Sequence, residues 1–177
     1  MKLFTFTDAL IMAISAHQYK KDLGGTDYIK HPLHIYHEVK MNGGDEDTQV
    51  TAILHDVIED GAIIIENLKY SNCQESVLEA LKLLTHVVDY DFINNQIIDK
   101  YNTLSKRAAK KRAEEDEYLN YIHSLSSNYI AKAVKIEDLK HNMDINRLGG
   151  NIKLKEKDVL RRLKYKKALE ILNGDRV

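Results

Sequence analysis

The sequence predicts an all-α fold. Three observations lead there: apolar residues recur at spacings of three and four through most of the chain, proline occurs once, and strictly alternating β-branched runs are nearly absent. A half-buried strand needs an apolar period of two, which this chain hardly offers.

The first helix is expected to open on Thr7 as N-cap, to carry Leu10, Ala13, Ile14 and His17 along one side, and to stop before Gly24-Gly25. A loop, TDYIK, follows. Pro32 suits the first position of the next helix, where its missing N–H would be unpaired in any case; His31 then stands at the helix start, and Asn42-Gly43-Gly44 ends it. Asp45 can cap a third helix reaching about Asp60, with Val50, Ile53, Leu54, Val57 and Ile58 as its apolar stripe.

Further helices are expected at about 74–86 and 117–125. The stretch between them, with its charge run from Lys106 to Arg112, reads as a partly helical insertion at about 89–116. From about 128 to 147, Ile130, Val134, Ile136, Leu139, Met143 and Ile145 are spread around much of a helix, as expected for a central, buried one. A last amphipathic helix at about 155–172 closes on Asn173-Gly174, and its Lys/Arg-rich face reads as solvated surface.

A chain of 177 residues suits a single domain, 1–177, and so one active site. With 26 Lys plus Arg against 27 Asp plus Glu, the chain lacks the positive field that draws proteins to phosphate backbones, so nucleic acid is not an expected partner. The lone Cys73 has no internal partner for a disulfide, and MKLFTFTDAL carries no long apolar segment of the secretory kind, which points to a reducing cytoplasm. The longest apolar stretches, such as Ala62 to Ile65, fall far short of the ~20 residues a spanning helix needs, so no membrane association is expected.

The densest polar constellation is His55-Asp56-Val57-Ile58-Glu59-Asp60. On a continuous helix Glu59 would lie one turn beyond His55 and Asp60 one turn beyond Asp56, all four opposite the apolar stripe. Alone, such a run reads best as a solvated acidic face. Asp138 shifts the balance, because it lies on a helix too apolar to be mainly exposed, and an unpaired buried carboxylate is costly. A bound cation would answer that cost; so would a salt bridge to Lys135, which shares a helix face with Asp138 and Asn142. Two imidazoles with two carboxylates would suit Mn²⁺, Fe²⁺, Zn²⁺ or Ni²⁺ better than Ca²⁺. Such a metal acidifies bound water and polarises a phosphoryl oxygen, and Glu59 and Asp60 are placed to move the proton.

Four segments carry a resemblance to a known family. Ala16-His17 followed by TDYIKHPLHI resembles the stretch "PYIxHP"; ILHDVIED resembles "LLHDxxED"; LKLLTH resembles "xxLT"; and VKIEDLKHNMDINRL resembles "VKxADxxxNxxxxxR". In order and spacing, from about residue 8 to 148, the chain resembles the HD-domain superfamily, and within it the hydrolase domain of RelA/SpoT proteins and the small alarmone hydrolases.

The resemblance implies an HD-domain helical bundle with one divalent cation, Mn²⁺ first and Fe²⁺, Zn²⁺, Ni²⁺ or Co²⁺ as alternatives, held by His31, His55, Asp56 and Asp138. It implies that Glu59 and Asp60 handle water activation and proton transfer, and that Lys20, Lys21 and Asn142 face a nucleotide; Lys135, on the helix face of Asp138 and Asn142, is a further substrate-binding candidate. The implied activity is removal of the 3′-pyrophosphate from (p)ppGpp. The chain departs from the pattern at Lys20, where an arginine is usual, at Gly61, where a threonine is common, and at the 89–116 insertion, which could shape substrate access or a contact between copies. Another nucleotide or small phosphate ester is therefore the alternative substrate, and a nucleotide-binding regulatory module without turnover the alternative class. His17, His34, His37, His86, His123 and His141, and likewise Tyr118, Tyr121 and Tyr129, read as packing or surface residues.

Overall fold

The computed structural model describes residues 3–61, 63–145 and 155–174. In chain order the helices are α1 (Phe6–His17), α2 (Lys30–Met41), α3 (Glu46–Leu54), α4 (Ile65–Tyr70), α5 (Glu75–Leu84), α6 (Tyr90–Asp99), α7 (Lys106–Leu125), α8 (Tyr129–Met143) and α9 (Glu156–Asn173). Among the described residues there is no strand; a single bridge pairs Lys21 with Asp27 in the loop before α2. The all-α expectation holds.

Two apolar clusters meet along α3. One gathers Phe4, Ala9 and Ala13 of the N-terminal segment with Val50, Ile53 and Leu54 of α3 and Val77, Leu78 and Leu81 of α5. The other joins Ile35 and Val39 of α2 to Ala80 and Leu84 of α5, Ile122 and Leu125 of α7, Val134 and Leu139 of α8, and Ala168 and Leu172 of α9. Helix α3 feeds both, with Ala52 turned to the second cluster, so all its residues from Val50 to Leu54 are buried. Helix α8 packs against α2, α3, α5 and α9, which matches the central helix its apolar distribution predicts. Ile53→Ala is expected to lower stability by about 2–5 kcal/mol, the range for a fully buried aliphatic truncation, as read by denaturant unfolding.

The turn from α2 into α3 fixes where the two His-bearing ends lie. Gly43 adopts φ 82°, and a Cβ on Gly44 would stand 2.5 Å from Val39 Cγ1 and 2.9 Å from its carbonyl oxygen, so the chain reverses there only with glycine. Asp45 then caps α3 as expected, its carboxylate accepting from Thr48 N at 2.9 Å. That cap, the Thr48 hydroxyl above all, holds the Asp45 carboxyl below the ordinary carboxylate value. A lowered folded-state pKa gives stability that is present above the unfolded value and lost as pH falls through the folded one. Asp45→Ala should therefore cost about 1 kcal/mol at neutral pH, a deficit that shrinks in acid unfolding below about pH 4.

Several boundaries differ from expectation. The first helix starts on Thr5, not Thr7: Thr5 Oγ1 accepts from Asp8 N at 3.3 Å and Asp8 accepts from Thr5 N at 3.0 Å, a capping box two residues earlier. It also stops at His17, well before Gly24-Gly25, because Lys20 to Tyr28 close a local loop around Asp22. Helix α3 ends at Leu54, so the predicted run to Asp60 is cut short; residues 55–60 continue as turns that close on Gly61 at φ 70°. Helix α4 was not expected. The stretch at 89–116 is mostly helical, forming α6 and the first half of α7, which opens at Lys106 instead of about 117. The predicted run of α8 to 147 stops at Met143, where Asp144 turns to extended backbone at ψ 104°; residues 146–147 lie outside the described residues.

Candidate metal centre and active site

Three backbone positions converge. His31 sits in the first turn of α2, one residue before Pro32, with its side chain 4% exposed. His55 is the residue after α3, buried, and Asp56 follows it. Asp138 comes from the middle of α8 and is buried. His31 Nε2 lies 3.2 Å from Asp138 Oδ1 and 3.5 Å from Asp56 Oδ2. His55 Nε2 lies 3.3 Å from Asp56 Oδ1, 3.9 Å from Asp138 Oδ1 and 3.3 Å from His31 Nε2. Ligand atoms of His31, His55 and Asp56 all fall within 4.8 Å of one another. The expectation of a polar face opposite the apolar stripe fails for His55, which is buried; Asp56 is half-buried, and Glu59 and Asp60 are exposed.

The donor chemistry fits a divalent cation. His55 Nδ1 is 2.8 Å from the Ala52 carbonyl oxygen. A carbonyl only accepts, so the neutral ring keeps its proton on Nδ1 and turns a bare Nε2 toward the cluster. Imidazole nitrogen and carboxylate oxygens are thereby gathered in one small buried space, a mixed N/O donor set that a divalent cation would stabilise. Such a centre would take His31, His55, Asp56 and Asp138 as its ligands.

The surrounding groups orient these donors. Tyr28 Oη donates to Asp56 Oδ2 at 2.5 Å, Lys135 Nζ to Asp138 Oδ2 at 2.9 Å and Asn142 Nδ2 to Asp138 Oδ1 at 2.5 Å. Burial pushes the Asp138 carboxyl up, but the buried Lys135 ammonium beside it above all outweighs this and holds it well below the usual carboxylate range. The Asp56 carboxyl is likewise lowered although burial opposes it, and the Tyr28 hydroxyl donating to it works in that direction. The Lys135–Asp138 salt bridge weighed from the sequence is thus present, and it occupies the carboxylate oxygen Oδ2, while Oδ1 faces His31 and His55.

Glu59 and Asp60 take different surroundings. Glu59, although exposed, lines the cavity it shares with Asp138, and the partial desolvation of that position raises its pKa, with Asp56 and Asp138 adding to the rise against Lys135. Asp60 is paired with Lys20, whose Nζ reaches Oδ1 at 2.6 Å and stands 3.7 Å from the Tyr28 ring centroid. Asp60 Oδ2 also lies 3.4 Å from Nδ1 of the buried His17, without hydrogen-bond geometry. Burial lowers the His17 pKa, which favours its neutral ring. Lys21 points the other way, to Asp27 on the exposed loop. Lys20 is thus brought to the site, and Lys21 is not.

Beside the cluster lies a cavity of about 220 Å³ lined by Glu59, His86, Tyr118, Tyr121, Lys135, Asp138, Leu139, Lys164 and Tyr165. Sequence reasoning missed much of it. His86 and the tyrosines read as packing residues, and Lys164 belonged to a face read as solvated. In the structure His86 Nε2 meets Glu117 Oε1 at 2.9 Å and its ring stacks on Tyr121 with centroids 4.3 Å apart, while Lys164 Nζ lies 3.9 Å from the Tyr118 ring centroid. Burial, then repulsion from Lys135, lowers the Lys164 pKa. The cavity thus brings two ammonium groups, two carboxylates and three tyrosine rings together beside the donor cluster, with Lys135 paired to Asp138 and Lys164 against the Tyr118 ring. The only sequence signal was the coincidence of Lys164 and Tyr165 on α9, which means nothing until α9 is laid across α7 and α8. Tyr129 takes no part: its hydroxyl donates to Asp45 Oδ2 at 2.9 Å, away from the cavity.

Known proteins place this architecture. No curated protein sequence matches the chain. Among solved structures it is similar to a metazoan ortholog of SpoT, a protein described as hydrolysing ppGpp and playing a role in starvation responses, with a TM-score of 0.68 at 20% identity over 100% of this chain and 90% of that one. At that identity the likeness speaks for the fold. The sequence itself matches the HD domain over residues 9–144, which takes in α1 through α8 and all four converging donors. The chain belongs to the HD domain family, and with it to the metal-dependent phosphohydrolases.

Proposed function

We propose that this HD domain removes the 3′-pyrophosphate from a (p)ppGpp-type nucleotide, with one divalent cation, Mn²⁺ first, held by His31, His55, Asp56 and Asp138. The observation that carries the proposal is the abutment of a lysine-bearing cavity on the four-donor cluster, with Asp138 belonging to both. The fold shared with the metazoan ppGpp hydrolase supports the choice of substrate. A cavity of about 220 Å³ suits the reacting pyrophosphate, with the nucleoside extending beyond it.

A bound divalent cation would supply Lewis-acid polarisation of a phosphoryl oxygen and acidify water. The residues do the rest. Lys135 and Lys164 balance the pyrophosphate charge and fix its position beside the centre. Glu59, whose pKa is raised above the ordinary glutamate value, accepts the proton of the attacking water. Asp60, held by Lys20, is the second carboxylate available to pass a proton on. The water oxygen attacks phosphorus, the bond to the ribose 3′ oxygen breaks, that oxygen takes up a proton, and pyrophosphate leaves with the added oxygen.

The test is incubation of ppGpp with Mn²⁺-loaded protein and chromatographic detection of GDP and pyrophosphate. A metal-loaded preparation that leaves ppGpp intact contradicts the substrate assignment. Lys164→Ala is expected to raise KM about tenfold, roughly 1.4 kcal/mol of lost anion binding, with metal content unchanged. A second reading keeps the centre and changes the nucleotide or phosphate ester. The pairing of Lys20 with Asp60 and of Lys21 with Asp27 favours it, since neither ammonium then stands ready for a guanine base. Turnover of another member of a nucleotide panel, with ppGpp untouched, would select it.

A further inference from the structure

We infer that His141 is a positioning residue for the metal centre, holding the His31 imidazole in the tautomer that leaves Nε2 bare toward the cation. The inference rests on the metal reading above and adds a residue that the reading does not need. His31 turns Nε2 to Asp138, Asp56 and His55, and its other nitrogen, Nδ1, lies 2.6 Å from Nδ1 of His141.

The two rings are 15° from parallel, with centroids 4.9 Å apart. Stacked rings keep their atoms roughly 3.5 Å apart or more, so a nitrogen–nitrogen distance of 2.6 Å places the rings rim to rim in nearly one plane. That is the geometry of an N–H donated into the in-plane lone pair of another imidazole. A neutral His31 with a bare Nε2 carries its proton on Nδ1, so His31 donates, His141 Nδ1 accepts, and the His141 proton sits on Nε2.

Ligating imidazoles usually donate their second N–H to a carboxylate or a backbone carbonyl. His55 does so through Ala52, whereas His31 uses a third histidine. The fold holds that histidine from two sides. His141 stands three residues after Asp138 on α8, so the helix that delivers the carboxylate also delivers the group orienting the facing imidazole. His34, one turn after His31 on α2, stacks on the His141 ring with centroids 4.1 Å apart.

The first test uses the wild-type protein without metal. Long-range ¹H–¹⁵N correlation spectra at about pH 8 should report His31 with a protonated Nδ1 and a bare Nε2; the opposite tautomer overturns the inference. The second is calorimetric titration with Mn²⁺. His141→Ala should bind it about 10- to 100-fold more weakly with an unchanged far-UV spectrum, and His141→Gln, which restores an acceptor, should recover much of the loss. Wild-type affinity in His141→Ala overturns this inference alone. A wild-type protein that binds no Mn²⁺, indistinguishable from a His55→Ala control, overturns the metal reading and this inference with it.

Discussion

Asp138→Ala should empty the metal centre and abolish hydrolysis, lowering kcat/KM by at least about a thousandfold, with the bound metal measured by elemental analysis. Asp138 is the one α8 carboxylate that reaches both imidazoles, and its loss leaves the remaining donors on α2 and at the end of α3 without their third side. The substitution also strands Lys135, a buried ammonium that donates to Asp138 at 2.9 Å and whose pKa this carboxylate raises well above the ordinary value despite burial. Removing one member of such a pair costs roughly 3–5 kcal/mol, so Asp138→Ala should unfold earlier in denaturant as well as bind less metal. His55→Ala separates the two effects: it should lose metal and activity to a similar degree without leaving a buried charge unpaired. Full metal content in both variants would contradict the ligand set.

Glu59→Gln should lower kcat about 10²- to 10⁴-fold while the metal stays bound, the loss expected when a general base is replaced by its neutral isostere. The structure separates the two roles by surroundings: Asp138 and Asp56 are held charged at the centre, whereas partial desolvation beside the cavity moves Glu59 in the opposite direction. A base works when deprotonated, so the rate should climb with pH through a value above the ordinary carboxylate range, and that acidic limb should vanish in Glu59→Gln. Unchanged turnover in this variant would remove Glu59 from the reaction. Undetectable turnover in the metal-loaded wild type would favour the regulatory module over an enzyme.

The local elements were legible where one segment carries its own instruction. The period of three and four gave the helices, Asp45 gave a cap, Asn173-Gly174 gave an end that Gly174 makes at φ 79°, and the apolar spread of residues 130–139 gave the buried central helix. Boundaries failed where two signals competed. Thr7 is the cap expected from the sequence, whereas the capping box between Thr5 and Asp8, in which Asp8 N and Thr5 N each reach the other's side-chain oxygen, starts the helix two residues earlier. The stripe Val50 to Ile58 is periodic past Leu54, yet the helix ends there, and His55, the residue after it, is buried.

By itself the sequence determined the all-α class, the donors His31, His55, Asp56 and Asp138 as candidates through the four resembling segments, and the special standing of Asp138 on an apolar helix. Those features are local or carried by residue order, and each is readable in a stretch no longer than a helix. Only the tertiary structure decided that Lys135 and Lys164 share one cavity, that Lys20 answers Asp60 and Lys21 does not, and that a third histidine meets His31 rim to rim. The reason is physical: charge balance, proton placement and cavity walls arise between helices far apart in sequence, and no pattern within one helix encodes the distance to the next.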